Sequence, residues 1–109
     1  MTPGTETADL KPGSRWRSAV CDTEVVVVRA PAAPVNFRIG GAGVLPASAS
    51  RPADAEPDAA LAGGTVLGKR YTDAATGLEV LCIKAGRGTV TVDGRPVTVM
   101  TPRPLPASD

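Results

Sequence analysis

The chain has 109 residues and a formal net charge of +1; it is 42% hydrophobic but only 3% aromatic. This length allows one domain. Acidic and basic residues are interspersed, and the absence of any basic-aromatic stretch excludes an obvious nucleic-acid surface. No apolar run approaches the roughly 20 residues of a transmembrane helix. Residues 1–11 contain neither the basic nor the apolar region of a signal peptide, so we expect a cytoplasmic protein that binds neither nucleic acid nor membrane.

The composition favours short strands. The 12 glycines and 11 prolines exceed the roughly 12% of residues that is usual for these two types, which predicts many turns and no long helix. Histidine is absent, and the two cysteines are Cys21 and Cys82. A Ser-His-Asp or Cys-His site is therefore excluded within one chain. We predict no catalytic residue and no enzyme activity.

Residues 1–13 predict a flexible N-terminal arm, because they are rich in Thr, Pro, Gly and Glu and show no periodicity. Residues 14–45 form the first β unit. In this unit Trp16 is expected to point inward from a short strand. Residues 24–29, with the sequence Glu-Val-Val-Val-Val-Arg, are the strongest strand signal in the chain. Because the valines do not alternate with polar residues, this strand is predicted to be central and buried on both faces.

Residues 46–64 predict a flexible linker rich in Ala, Pro and acidic residues, with a short helical turn near 55–61. A partner-binding loop is the alternative for this segment. Residues 65–100 form the second β unit, in which Asp93-Gly94 is a hairpin signal. Residues 101–109 carry proline at alternate positions and predict an extended tail.

The second unit repeats the first. Each contains an aromatic residue, a turn, a long strand, a second turn, another strand and a glycine corner. The matched segments are Trp16 with Tyr71, residues 24–29 with 79–84, and residues 41–44 with 94–97. We therefore predict an all-β domain over residues 14–100, in which two related β-hairpin or meander units pack pseudo-symmetrically into a small sandwich or barrel-like domain.

Each unit resembles desulforedoxin, the small rubredoxin-like module that binds iron through four cysteines. The family's Cys-x-x-Cys-Gly turn corresponds to Ser-Ala-Val-Cys-Asp at residues 18–22, and its valine-rich strand and glycine corner follow in both units. The ligand positions implied by the resemblance are Ser18, Cys21, Ile39 and Gly40 in the first unit, and Asp73, Thr76, Val92 and Asp93 in the second. Cys21 is the only cysteine among them. The resemblance thus implies a rubredoxin-like scaffold that has lost its metal.

Cys21 is the strongest single candidate for a metal-binding or reactive residue. A tetrahedral Zn or Fe site needs four ligands, and one chain offers only Cys21 with Asp22 or Asp73. Two chains together can pool thiolates and carboxylates. A reactive thiol is another alternative, because Arg15 or Arg17 would lower the pKa of Cys21. We predict no metal and no cofactor, with Zn or Fe at a remnant Cys21 site as the alternative.

Two further features have simpler interpretations. Cys82 lies in the middle of a strand and is expected to be a small core residue. The pairs Arg15/Arg17 and Lys69/Arg70 occupy matching places in the two units, so they form either one basic patch or two solvated faces.

These observations favour a small non-enzymatic accessory or interaction protein, such as a subunit of a larger cytoplasmic complex. Its expected partner is another protein or a second copy in a homodimer. The alternative is a metal-binding or redox protein that retains a partial site at Cys21. A third class is a thiol enzyme that uses Cys21.

Overall fold

Two antiparallel sheets form this computed structural model, which describes residues 10–52 and 54–100. Residues 1–9 of the predicted arm (1–13) and the whole predicted tail (101–109) lie outside the described residues. Sheet A has the strand order β10-β6-β7-β2-β1-β5, and sheet B has the order β4-β3-β8-β9. A 3-10 helix spans Ala59–Leu61. The ten described strands are β1 Arg15–Arg17, β2 Glu24–Arg29, β3 Phe37–Ile39, β4 Ala42–Gly43, β5 Leu45–Pro46, β6 Arg70–Thr72, β7 Glu79–Lys84, β8 Val90–Val92, β9 Arg95–Pro96 and β10 Thr98–Met100. The prediction of an all-β fold is confirmed, with open sheets rather than a closed barrel.

A pseudo-twofold axis relates the two units. Strands β1 to β5 have the same order and partners as strands β6 to β10, which confirms the predicted repeat. In the centre of sheet A, Val26 of β2 lies directly opposite its own repeat equivalent, Leu81 of β7. In sheet B, Arg38 lies opposite its equivalent Thr91 in the same way. The axis therefore passes through both sheets.

Two equivalent hairpins turn through residues in the left-handed region. Gly40 and Gly41, between β3 and β4, have φ of 67° and 92°. Asp93 and Gly94, between β8 and β9, have φ of 51° and 83°. Two successive positive φ values define the type I′ turn, whose twist matches that of the strands it joins. The hairpin predicted at Asp93-Gly94 is confirmed.

The buried core lies between the two sheets. Inward residues of β2 and β7 meet inward residues of β3 and β8, and each buried branched side chain contributes about 1.5–3 kcal/mol through its removal from water. Trp16 lies opposite Val25 and packs against this core, as predicted. The central core residues are Val25, Val27, Val80 and Cys82 of sheet A and Phe37, Ile39, Val90 and Val92 of sheet B.

The prediction that β2 is buried on both faces is wrong. Val25 and Val27 are at most 1% exposed, whereas Val28 is 40% exposed. Val26, on the same outer face, is half-buried. A bulge shifts the register between Val27 and Arg29 and leaves Val28 outside the core. β2 is central, as predicted, but its unbroken valine run reflects the preference of β-branched residues for strands and not burial of both faces.

The first unit begins earlier than the sequence predicts. Leu10 is only 5% exposed and belongs to the core. The turn that follows is fixed by a hydrogen bond from the Gly13 N–H to the Val27 carbonyl (2.8 Å). The equivalent bond in the second unit runs from the Gly68 N–H to the Cys82 carbonyl (2.9 Å). The repeat therefore includes residues that the sequence places in the arm.

The segment 46–64 contacts both units. Its 3-10 helix confirms the predicted helical turn, and the Asp58 N–H before it donates to the Gly40 carbonyl (2.9 Å). The Leu61 carbonyl at its end accepts from the Thr89 N–H (2.8 Å). The flexibility predicted for this segment stays a prediction.

The two isoleucines of the sheets offer a matched test of this layering. We expect Ile39→Ala to lower the free energy of unfolding by about 2–5 kcal/mol, because Ile39 is fully buried. Ile83→Ala removes the same atoms from the half-buried outer side of β7 and should cost about 1 kcal/mol or less. Urea denaturation of both variants measures the difference. Equal losses would contradict the assignment of the inner and outer faces.

Candidate functional site at the two knuckle turns

The two turns that connect β1 to β2 and β6 to β7 contain the knuckle positions implied by the resemblance. We call residues 18–23 the first knuckle and residues 73–78 the second knuckle. In both, the N–H of the first residue donates to the carbonyl of the sixth over 2.9 Å. The backbone frame is therefore the same in both units, and the differences between them lie in the side chains.

The hydroxyl of Ser18 holds the first knuckle in shape. Ser18 is fully buried, and its Oγ accepts from the N–H groups of Val20 (3.0 Å) and Cys21 (3.1 Å). A serine hydroxyl commonly takes the place of a backbone acceptor in such turns. Ser18 therefore acts as a structural acceptor at this position.

Cys21 belongs to a closed ring of hydrogen bonds between the two units. Its Sγ donates to Thr23 Oγ1 (3.3 Å), and the Thr23 hydroxyl donates to Thr65 Oγ1 (3.2 Å). The Thr65 hydroxyl then donates to the Gly88 carbonyl (2.7 Å). Gly88 closes the ring with its N–H, which donates to Cys21 Sγ (3.3 Å). All four residues are buried, so the ring supplies the partners that buried polar groups require.

These contacts lower the pKa of the Cys21 thiol. Burial raises this pKa, but hydrogen bonds with the Ser18 and Thr23 side chains, the Thr23 backbone and the Gly88 N–H outweigh burial. When the thiol ionises, Sγ becomes an acceptor only, and the Thr23 hydroxyl turns to donate to it. The pKa therefore lies below its usual value of 9.0. Because Cys21 is only 6% exposed, a reagent has little access to this thiol, and a low pKa alone does not make it reactive.

The arginines predicted to cause this shift do not cause it. Arg15 lies opposite Val26 on the outer face of sheet A. Arg17 donates from Nη1 to the Ala49 carbonyl (3.0 Å). The lowered pKa of the thiol comes from neutral hydrogen-bond donors, which the sequence does not identify because two of the ring residues belong to the second unit.

The glycine corner of the first unit lies beside the first knuckle. A Cβ atom at Gly40 would lie 2.8 Å from Val20 Cγ2, and one at Gly88 would lie 3.0 Å from the Gly40 nitrogen. Ile39, the other corner position, is fully buried in the core. Cys21 is thus the only metal-ligating side chain at the four implied positions. Among residues 10–52 and 54–100, no group of three or more His, Cys, Asp or Glu side chains is placed to hold a metal ion.

Asp73 takes the place of Ser18 in the second knuckle. It is 6% exposed, and its Oδ2 accepts from the Thr76 hydroxyl (2.7 Å) and from Arg95 Nη2 (3.0 Å). Burial raises the pKa of Asp73, but the Thr76 hydrogen bond and the hydrogen bond and charge of Arg95 lower it overall, below its usual 3.8. The ion pair connects this knuckle to β9. Its partners are 22 residues apart, and the sequence contains no signal that would pair them.

The corner of the second unit is also occupied by scaffold residues. Val92 is fully buried. Asp93 is exposed, and its Oδ1 accepts from the Asn36 N–H (2.7 Å). Cys82 is a core residue, as predicted, because it is 1% exposed and lies opposite Val25. Burial raises the pKa of the Cys82 thiol.

The two basic pairs do not form one patch. Arg15 lies opposite Val26 in β2, and Arg70 lies opposite Leu81 in β7. The central pair of strands therefore separates them. Both arginines are exposed, so the outer face of sheet A carries a cation on each side of its centre.

The hydrogen-bond ring predicts the effect of removing one hydroxyl. In a Cys82→Ala background, Thr23→Val should raise the pKa of Cys21, because the variant removes the hydroxyl that donates to the sulfur once the thiol has ionised. Thiolate absorbance measured against pH reports this change. Since the folded-state pKa of Cys21 is depressed, the Cys82→Ala parent chain also gains stability as pH rises above that pKa, and Thr23→Val should lose part of this gain. Thr91→Val, which changes a buried threonine of sheet B, is the matched control. An unchanged pKa in the Thr23 variant would refute the ring as its cause.

The second knuckle predicts a pH-dependent loss of stability. At pH 7, Asp73→Asn should lower the free energy of unfolding by about 1 kcal/mol, a modest value because the Arg95 side chain is 47% exposed. The folded-state pKa is depressed, so the carboxylate stabilises the fold at pH values above about 3.8 and loses this effect as pH falls through the lowered pKa. Wild type and variant should therefore converge in acid. Asp54→Asn, at an exposed site, should change little, and a gap that persists at low pH would contradict the proposed role of the charge.

A comparison with protein-family models, with curated protein sequences and with solved structures found no match to this chain. The desulforedoxin resemblance therefore stays a prediction that rests on the scaffold residues alone. Within the described residues, no helix is both long and apolar enough to cross a bilayer. The function must accordingly be argued from the side chains and their exposure.

Proposed function

We propose that this chain is a small, non-enzymatic accessory or interaction protein that binds another protein as part of a larger cytoplasmic complex. The observation that carries the proposal is the exposure of large apolar side chains. Val66 and Leu67, at the tip of a turn, are 54% and 62% exposed, and Val28 and Val99 are each 40% exposed. Burial of such residues against a partner is favourable, and a domain of this size gains stability from it.

The placement of the reactive side chains supports a non-enzymatic role. Cys21 and Asp73 are each held in hydrogen bonds that shape a knuckle, and Cys82 is part of the core. A catalytic group needs contact with a substrate. These three side chains face their own neighbours instead.

The alternative function is metal binding or redox chemistry at Cys21. Within the described residues, Cys21 is not part of any group of three or more His, Cys, Asp or Glu side chains that could hold a metal ion. A metal would therefore need ligands from a second chain, and the first knuckle would have to open, because Cys21 is buried. For this reason the interaction role is the better supported of the two.

Co-purification from the native host tests the proposal. We expect the untagged endogenous chain, separated by size under gentle conditions, to elute with one other protein in near-equal amounts, identified by mass spectrometry. Reciprocal capture through that protein should recover this chain. Metal analysis of the same fraction is the control for the alternative. A chain that elutes without another protein and carries stoichiometric Zn or Fe, lost on Cys21→Ser, would refute the proposal in favour of the metal site.

A further inference from the structure

The outer face of sheet A has an apolar strip along its centre. Val26 and Leu81 lie opposite each other on the pseudo-twofold axis. Val28 extends the strip along β2 and Ile83 extends it along β7, in the opposite direction because the strands are antiparallel. None of the four belongs to the buried core. At about 3.4 Å per residue the strip is about 14 Å long.

Cations lie on both flanks of this strip, and a cation with a carboxylate opposite it lies at each end. Arg15 and Arg70 lie across the sheet from Val26 and Leu81, so that one row reads Arg-Leu-Val-Arg over four neighbouring strands. Arg29 and Lys84 follow the ends of the strip, and all four cations are exposed. Glu79 contacts Arg29 and Arg70 only loosely, at 3.8 Å each, and leaves their side chains 71% and 50% exposed. Glu24 of β2 is the register partner of Lys84, as Glu79 is of Arg29. Because four cations face these two carboxylates, the rim keeps a net positive charge, which is concentrated at Arg15 and Arg70 on its two flanks.

The dimensions of this face match those of an α-helix. Three strand spacings of about 4.8 Å separate Arg15 from Arg70, which is about 14 Å, slightly more than the 10–12 Å diameter of a helix with its side chains. The length of the strip corresponds to between two and three helical turns. A helix that lies along β2 and β7 would place its apolar stripe on the strip and its two flanks beside the arginines.

We propose that this outer face binds an amphipathic helix of a partner protein, whose apolar stripe is flanked by carboxylates on both sides. The inference rests on the proposed function and specifies the partner's chemistry. A second copy fits less well, because stacking two such faces would bring like charges together. A membrane fits less well too, since the strip lacks the aromatic residues that anchor proteins at an interface.

A synthetic peptide pair tests the inference on the full-length chain. One peptide carries leucine at i, i+4, i+7 and i+11 with glutamate on both flanks, and the other carries lysine at the same flanking positions. Fluorescence anisotropy gives the Kd of each. We expect the glutamate peptide to bind, more weakly as salt rises, and the lysine peptide not to bind. Arg15→Glu and Arg70→Glu should each raise the Kd about tenfold, and Arg87→Glu, an exposed charge reversal in a turn, should not.

The apolar strip has its own matched pair of variants. Val28 and Val99 are each 40% exposed, but Val99 belongs to the edge strand β10, away from the strip. Val28→Glu should abolish binding of the glutamate peptide, and Val99→Glu should leave it unchanged. Circular dichroism checks that each variant is folded. If Val28→Glu does not fold, the Arg15→Glu and Arg70→Glu variants decide whether the peptide binds to this face.

Several outcomes would overturn the inference. The first two are equal binding of the two peptides and binding of the glutamate peptide that survives Val28→Glu. The others are binding of the chain to phosphatidylglycerol vesicles but not to the peptides, and a dimer of the chain that dissociates only in the Val28→Glu variant. A co-purifying protein that still binds the Arg15→Glu/Arg70→Glu chain would refute this surface and leave the proposed function standing. If the peptides bind as expected but no protein co-purifies from the host, the result would support this surface and refute the proposed function.

Discussion

The antiparallel pairing of β2 with β7 is the constraint on which the rest of the structure depends. It joins the two units into one six-stranded sheet, and its register puts Val25 opposite Cys82 and Val27 opposite Val80. These two pairs are repeat equivalents of each other. If β2 slipped by one residue against β7, Val25 and Val27 would turn to the outer face, so the buried layer and the pseudo-twofold axis require the same register.

Around this shared frame the two units have diverged in their polar side chains. Both knuckles keep the same closing backbone bond, but Ser18 secures one with a neutral hydroxyl and Asp73 secures the other with a carboxylate and Arg95. The thiol of Cys21 contributes to a ring that reaches Thr65 of the second unit through Thr23. Two turns that the resemblance describes as metal-binding thus carry hydrogen bonds that hold each unit together and link it to its copy.

The strands, the repeat and the central place of β2 could be predicted from the sequence, because they depend on local signals such as the valine run and the Asp93-Gly94 turn. The burial of a strand's second face could not, since β-branched residues favour strands whether or not they are covered. The hydrogen-bond ring at Cys21 and the Asp73–Arg95 ion pair also could not be predicted from the sequence. Their partners are distant in sequence, and their contact exists only once the two units have packed together.

The outer strip has a structural explanation at its centre but not at its ends. Val26 and Leu81 form a cross-strand pair, which by itself stabilises a sheet by about 0.2–1 kcal/mol. Val28 and Ile83 lie where bulges interrupt the register, so each lacks a direct partner across the central pair. A bulge re-aims the side chain it contains, and here both units use it to keep a branched apolar residue on the outer face, where a charged residue would resist aggregation better. The same bulge recurs in both units, so the apolar strip on the outer face follows from the duplication, and the cross-strand pair at its centre does not account for the apolar residues at its ends.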